Sequence, residues 1–94
     1  MSVKALAEAA ISQNTICVFS RSWCPYCTRV KSLLDTRFPN AQRKYLELDQ
    51  MDDGDDIQSY LQSKTGQRTV PNVFIRQKHI GGKSSLEAST LALE

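Results

Sequence analysis

The chain of 94 residues holds one histidine, one tryptophan, three prolines and three cysteines, and these scarcities exclude whole classes of function. Three cysteines and His79 lack the paired spacings of a zinc site, which normally takes four ligands. So few cysteines cannot make the disulfide framework of a small secreted domain. No stretch approaches the ~18 apolar residues of a membrane span, and the first residues carry no apolar run of signal-peptide length. The sequence is therefore expected to be cytoplasmic and free of the membrane, where disulfides are transient and catalytic rather than structural. Twelve basic residues against ten acidic ones leave a net charge of +2, too small to imply a nucleic-acid partner. There are no repeats, linkers or low-complexity tracts, and residues 1–94 are expected to form a single domain.

What the chain does have is Trp23-Cys24-Pro25-Tyr26-Cys27 between an apolar run, Ile16-Cys17-Val18-Phe19, and an amphipathic stretch with Val30, Leu33 and Leu34 on one face. That order predicts a strand, a turn and a helix with the cysteine pair at the joint. Pro25 suits the first helical position, where its missing N–H has no partner to lose. Cys24 then falls at the N-cap, its sulfur facing the free N–H groups of Tyr26 and Cys27 and the positive end of the helix dipole. Such a position favours the thiolate, the reacting species. Cys27 lies one turn further on the same face, within disulfide reach. A Cys-x-x-Cys beside a β-α-β pattern reads as a thioredoxin-like redox motif. Cys17, inside the strand, reads as a small buried hydrophobe.

Charge is unevenly spread. Glu47, Asp49, Asp52, Asp53, Asp55 and Asp56 are six of the ten acids, and residues 47–56 contain no Lys or Arg. The remainder holds twelve bases against four acids (10 − 6). Two readings are open: a basic surface around the cysteines that suits a small anionic ligand, with the acids elsewhere, or a solvated acidic loop on an ordinary mixed surface.

Elsewhere, Val3, Leu6, Ala7, Ala10 and Ile11 keep helical spacing, closed by Asn14. Residues 15–20 and 43–48 read as strands, with a helix from Pro25 to about Arg37 between them that Phe38-Pro39 ends. Asp52 or Asp53 can cap a third helix with Ile57, Tyr60 and Leu61 inward and Gly66 as its terminator. Val70-Pro71 opens a hairpin with strands at residues 73–75 and 78–80. Gly81-Gly82 breaks the pattern before a last helix carrying Leu86, Ala88, Leu91 and Leu93. The order α, β, α, β, α, β, β, α predicts an α/β fold, a mixed four-stranded sheet with helices on both faces.

Three blocks together, Cys24-Pro25-Tyr26-Cys27, Gly66 to Ile75 (Gly-Gln-Arg-Thr-Val-Pro-Asn-Val-Phe-Ile) and Lys78-His79-Ile80-Gly81-Gly82, resemble the dithiol glutaredoxins across nearly the whole chain. The resemblance implies a thioredoxin fold, glutathione as co-substrate with no metal, and reduction of protein disulfides and glutathione mixed disulfides by a monomer. Cys24 would be the nucleophile and Cys27 the resolving thiol. Thr69-Val70-Pro71 would carry the family's cis-proline loop; read without the resemblance, the Val70–Pro71 bond is expected to be trans. Arg21, where the family often has lysine, keeps a cation for the glycine carboxylate of glutathione, and Gln58 matches a glutamine that reaches the same group. Tyr26 would touch the bound ligand. Gly82 would let backbone approach it closely, and Ser84 and Ser85 would meet its γ-glutamyl carboxylate.

Two departures stand out. Serine occupies position 85 where relatives commonly have aspartate, which removes a charge that would face the γ-glutamyl ammonium. The hairpin turn reads Arg76-Gln77 rather than Asn-Gly, which puts its geometry in question. Two other functions fit the cysteine motif: a thioredoxin-like reductase served by a reductase protein, and a [2Fe–2S]-binding dimer with Cys24 and glutathione as ligands.

Overall fold

The computed structural model describes residues 2–82. Helix α1, Val3–Ser12, begins where the Ser2 hydroxyl accepts the Ala5 N–H at 3.1 Å and ends beside Asn14, whose side-chain amide donates to the Ala10 carbonyl at 2.8 Å. Strand β1, Ile16–Ser20, is buried at every position. A strand covered on both faces has no reason to alternate, and this one lies in the middle of the sheet.

Helix α2 spans Pro25–Arg37, as the spacing predicts, and Phe38 ends it. Strand β2, Arg43–Glu47, runs parallel to β1, from Ile16 opposite Arg43 to Ser20 opposite Glu47. It stops one residue earlier than expected. Leu48 instead starts a 3₁₀ turn, Leu48–Gln50, that carries its side chain into the core. The turn brings Leu48 close to the start of the next helix: a Cβ on Gly54 would lie 1.9 Å from the Leu48 carbonyl oxygen, so only glycine lets helix α3, Gly54–Thr65, begin there. Asp53 occupies the cap of α3 without a side-chain cap bond, while Asp55 and Asp56 fill the first turn, where their charge complements the dipole. Gly66 ends α3 at φ +83°, the left-handed conformation that glycine adopts without penalty.

Strands β3, Asn72–Ile75, and β4, Lys78–Gly81, make the expected hairpin. Its turn keeps positive φ at both central residues, +50° at Arg76 and +68° at Gln77. That is the type I′ signature, so the missing Asn-Gly did not change the turn type. Gly81 does not break the strand; it is the last residue of β4, opposite Val73. The last helix predicted from sequence lies outside the described residues.

The sheet order is β2-β1-β3-β4, with β1 antiparallel to β3 and β3 antiparallel to β4. Ile16, Val18 and Val73 meet Val30 and Leu34 of α2 on one face. Cys17, Phe19, Leu46 and Phe74 meet Ala7, Ala10 and Ile11 of α1 and Ile57 and Leu61 of α3 on the other. Phe19 and Phe74 pack edge to face at 5.9 Å. Helices therefore cover both faces, and none of those described is long and apolar enough to cross a membrane.

Candidate active site

The sheet register brings three chain ends together. Because β2 is parallel to β1, its exit at Glu47 lies beside the exit of β1 at Ser20. Because β3 is antiparallel to β1, its entry at Asn72 lies opposite Phe19. The Cys24 loop, the acidic segment after β2 and the Pro71 loop therefore share one edge.

Cys24 is the N-cap of α2, and its Sγ accepts the Cys27 N–H at 3.3 Å. Of the two N–H groups expected to face the sulfur, Cys27 supplies the bond. Thr28 fixes the cap from below, its N–H and its hydroxyl both reaching the Cys24 carbonyl, at 3.1 and 3.3 Å. Both thiols are free. Cys24 keeps 6% of its surface exposed and Cys27 none, so an incoming disulfide meets Cys24 first. Burial pushes the Cys27 thiol up, and the neighbouring Cys24 thiol adds to the rise, against a smaller lowering by the polar groups of Arg21 and Ser20. Cys17, on the opposite face of the sheet, is pushed up to about 12 by burial and serves as packing. Trp23 and Tyr26 flank the site and are the large exposed apolar side chains among the described residues.

The acids are not elsewhere. Arg21 donates through Nη2 to Gln58 Oε1 at 2.6 Å and to Asp55 Oδ1 at 3.1 Å. Asp49 accepts both the Ser22 N–H, at 3.0 Å, and the Ser22 hydroxyl, and these bonds hold its carboxyl below the usual range. Glu47 accepts from the Ser20 hydroxyl at 3.1 Å and pairs with Lys31. The reading of a basic surface around the cysteines is corrected accordingly: Glu47, Asp49 and Asp55 border the loop that leads into Cys24. The parallel β1–β2 pairing puts Glu47 and Asp49 there, and the first turn of α3 brings Asp55 to Arg21. Sequence reading missed Ser20, Ser22, Glu47 and Asp49 as site residues, since partners 27 positions apart carry no local signal.

The Val70–Pro71 peptide is cis, as the resemblance implies and the residues alone did not. Gln67 ties the loop across that bond, its side-chain amide donating to the Thr69 and Pro71 carbonyls, both at 3.0 Å. Thr69 is exposed, while Val70 is half-buried against the core. A Cβ on Gly82 would sit 3.8 Å from the Pro71 carbonyl oxygen, which places Gly82 on the same loop edge. The second amide contact of Gln58, to the Arg68 carbonyl at 2.5 Å, joins this loop to Arg21. Ser84 and Ser85 lie outside the described residues.

The glutaredoxin family model matches residues 16–80, which covers the Cys24–Cys27 pair, Gln58 and the cis-proline loop. The chain belongs to the glutaredoxin family. It is 55% identical over 76 residues to a glutaredoxin of Vernicia fordii, covering 81% of this chain and 71% of that one. The holo form of glutaredoxin C1 from Populus tremula × tremuloides superposes with a TM-score of 0.87 at 40% identity, over 96% of this chain and 87% of that one. A buckwheat glutaredoxin–glutathione complex gives 0.86 at 44% identity, over 96% and 79%. This glutaredoxin-family chain has the thioredoxin fold and is a thiol–disulfide oxidoreductase.

Proposed function

We propose that the chain reduces protein disulfides and glutathione mixed disulfides with electrons from glutathione, through Cys24 and Cys27. The observation that carries this reading is the Cys24 cap: a sulfur at a helix N-terminus, accepting an N–H bond, on a residue that keeps 6% of its surface exposed while the second thiol keeps none. Kinship with a glutaredoxin solved in complex with glutathione supports the choice of reductant.

In the first step the Cys24 thiolate attacks the glutathione sulfur of a mixed disulfide. A Cys24–glutathione disulfide forms and the substrate leaves as its thiolate, which takes a proton from water. A second glutathione thiolate then attacks the adduct, releasing oxidised glutathione and restoring Cys24. Where the substrate is a protein disulfide, Cys24 attacks one of its sulfurs and Cys27 displaces the substrate, leaving a Cys24–Cys27 disulfide that two glutathiones reduce. Glutaredoxin potentials of about −200 to −230 mV lie near the glutathione pool, so the pool can drive either direction.

Arg21 and Gln58, already paired, would hold the glycine carboxylate of the ligand. Val70 would pair its backbone with the ligand's cysteine beside cis-Pro71, while Thr69, Tyr26 and Gly82 would border the ligand. Ser84 and Ser85 would receive the γ-glutamyl end. The chemistry needs no metal, and we take the protein to act as a cytoplasmic monomer. Incubating the Cys27→Ser variant with oxidised glutathione tests the reading: one glutathione on Cys24, found by intact and peptide mass, supports it. No adduct, or an adduct on another cysteine, contradicts it.

A further inference from the structure

Arg21 enters the site with its guanidinium already engaged. Its Nη2 donates to Gln58 Oε1 at 2.6 Å and to Asp55 Oδ1 at 3.1 Å, so both protons of that nitrogen are taken. Asp55 and Gln58 are three residues apart on α3, a spacing that puts two side chains on one helix face. The two contacts differ in kind. Gln58 is a neutral acceptor, and its amide nitrogen is tied to the Arg68 carbonyl at 2.5 Å, so it cannot turn away without losing a second bond. The Asp55 carboxylate has no other hydrogen bond among the described residues, and its side chain is 91% exposed against 19% for that of Arg21. It can swing into water with no loss of packing, and an exposed ion pair of this kind contributes little to stability. Asp49, also close to Arg21, is committed elsewhere, since it accepts the Ser22 N–H at 3.0 Å and the Ser22 hydroxyl.

We propose that Asp55 is a carboxylate latch on Arg21, standing in for the glycine carboxylate of glutathione until the ligand displaces it. The inference rests on the reading of Arg21 as the cation that holds that carboxylate. Binding then exchanges one carboxylate for another: the ligand takes the Nη2 proton that Asp55 gives up, Gln58 keeps the other, and the Asp55 side chain returns to water. Arg21 ends with as many anionic partners as it had before, so binding gains only the difference between the two pairs. The latch therefore lowers the affinity of the site for glutathione. It also selects by charge, because a thiol peptide with no carboxylate at that end has nothing with which to displace Asp55. Asp56, next along α3, makes no hydrogen bond to Arg21 among the described residues, so the effect belongs to position 55 and not to the acidity of the helix start.

The test is an equilibrium in the Cys27→Ser background, where the Cys24 adduct accumulates. In a buffer of reduced and oxidised glutathione, the Cys24 thiolate attacks oxidised glutathione, the Cys24–glutathione bond forms, and one glutathione leaves as its thiolate. The adduct fraction, read by intact mass, gives the exchange constant. The measurement is repeated with the glycine monoethyl ester of glutathione in both redox forms, which lacks the carboxylate in question. Asp55→Asn keeps the shape and removes the charge. It should raise the glutathione constant about two- to fivefold, the range of an exposed ion pair, and leave the ester constant unchanged. Asp56→Asn removes the same charge from the same helix turn, with the same loss of dipole support, and should change neither constant. An unchanged or lower glutathione constant in Asp55→Asn, an equal rise with the ester, or an equal rise in Asp56→Asn would overturn the proposal. Arg21→Gln exposes a failure of the underlying reading. It should lower the glutathione constant about fivefold, and in its presence Asp55→Asn should have no further effect. If Arg21→Gln changes neither constant, Arg21 does not hold the ligand and the reading falls together with the latch. If Arg21→Gln lowers the glutathione constant while Asp55→Asn does nothing, only the latch falls.

Discussion

Gln58 holds Arg21 with its amide oxygen at 2.6 Å and the Arg68 carbonyl with its amide nitrogen at 2.5 Å. One side chain on α3 thus fixes a cation from the Cys24 loop and the backbone of the segment that leads to cis-Pro71. Neither contact survives removal of the amide. Hydrogen bonds to charged groups contribute about 1.5–3 kcal/mol, less where water competes, as it does here. Gln58→Ala is therefore expected to raise the apparent KM for glutathione about fivefold, with a smaller change in kcat. Steady-state kinetics with varied glutathione measure this, and an unchanged KM would detach Gln58 from the ligand.

The Ser22–Asp49 contact predicts a pH effect. Its two hydrogen bonds lower the Asp49 carboxyl in the folded state. A depressed folded value contributes stability above the ordinary aspartate value and loses it as pH falls through the folded one. The chain should thus lose more stability than Asp49→Asn between about pH 4.5 and about pH 2.5, a window set around the aspartate reference of about 3.9. Denaturant melts at both ends of that window provide the comparison; parallel losses in the two proteins would show that the contact does not matter.

Gly54 is required by space. Any Cβ there would meet the Leu48 carbonyl at 1.9 Å, a backbone atom that cannot swing aside. Gly54→Ala should destabilise the fold by about 2 kcal/mol, within the range for overpacked sites. That corresponds to a fall in Tm on the order of 10 °C for a chain of this size. A thermal melt equal to that of the unmodified chain would contradict the assigned helix start.

Burial separates the three thiols. Cys17 is pushed up to about 12, Cys27 is also raised, and both have no exposed surface, whereas Cys24 retains some. Brief iodoacetamide treatment of the reduced native protein should label Cys24 first, Cys27 slowly, and Cys17 only after denaturation. Peptide mass mapping reads the order, and early labelling of Cys17 would contradict the burial of β1.

What the sequence made legible was local. The cap at Cys24, Pro25 at the first helical position and Gly66 at the end of α3 follow from chemistry within a few residues, and the order of the described helices and strands follows from periodicity. What it hid was non-local. Ser20–Glu47 and Ser22–Asp49 depend on the parallel register of β1 and β2, so the two readings of the acidic segment stay open in the sequence, although Glu47, Asp49 and Asp55 border the redox loop. Asp53 looked like a side-chain cap for α3, yet makes no such bond, and Gly54, with no turn to mark it, is set by a tertiary contact. The Arg76-Gln77 turn adopts positive φ without the usual residues because the antiparallel pairing of β3 and β4 imposes it. The cis Val70–Pro71 bond was implied only by family resemblance.

The central claim is that Cys24 attacks, Cys27 resolves, and glutathione supplies the electrons. The most direct measurement is turnover of a small glutathione mixed disulfide with glutathione as sole reductant, for the unmodified chain, Cys24→Ser and Cys27→Ser. The account predicts turnover in the unmodified chain, its loss to background in Cys24→Ser, and its retention in Cys27→Ser, which should fail only with protein disulfides that need both thiols. An active Cys24→Ser beside a dead Cys27→Ser, or a chain that turns over with a thioredoxin-type reductase but not with glutathione, would contradict it.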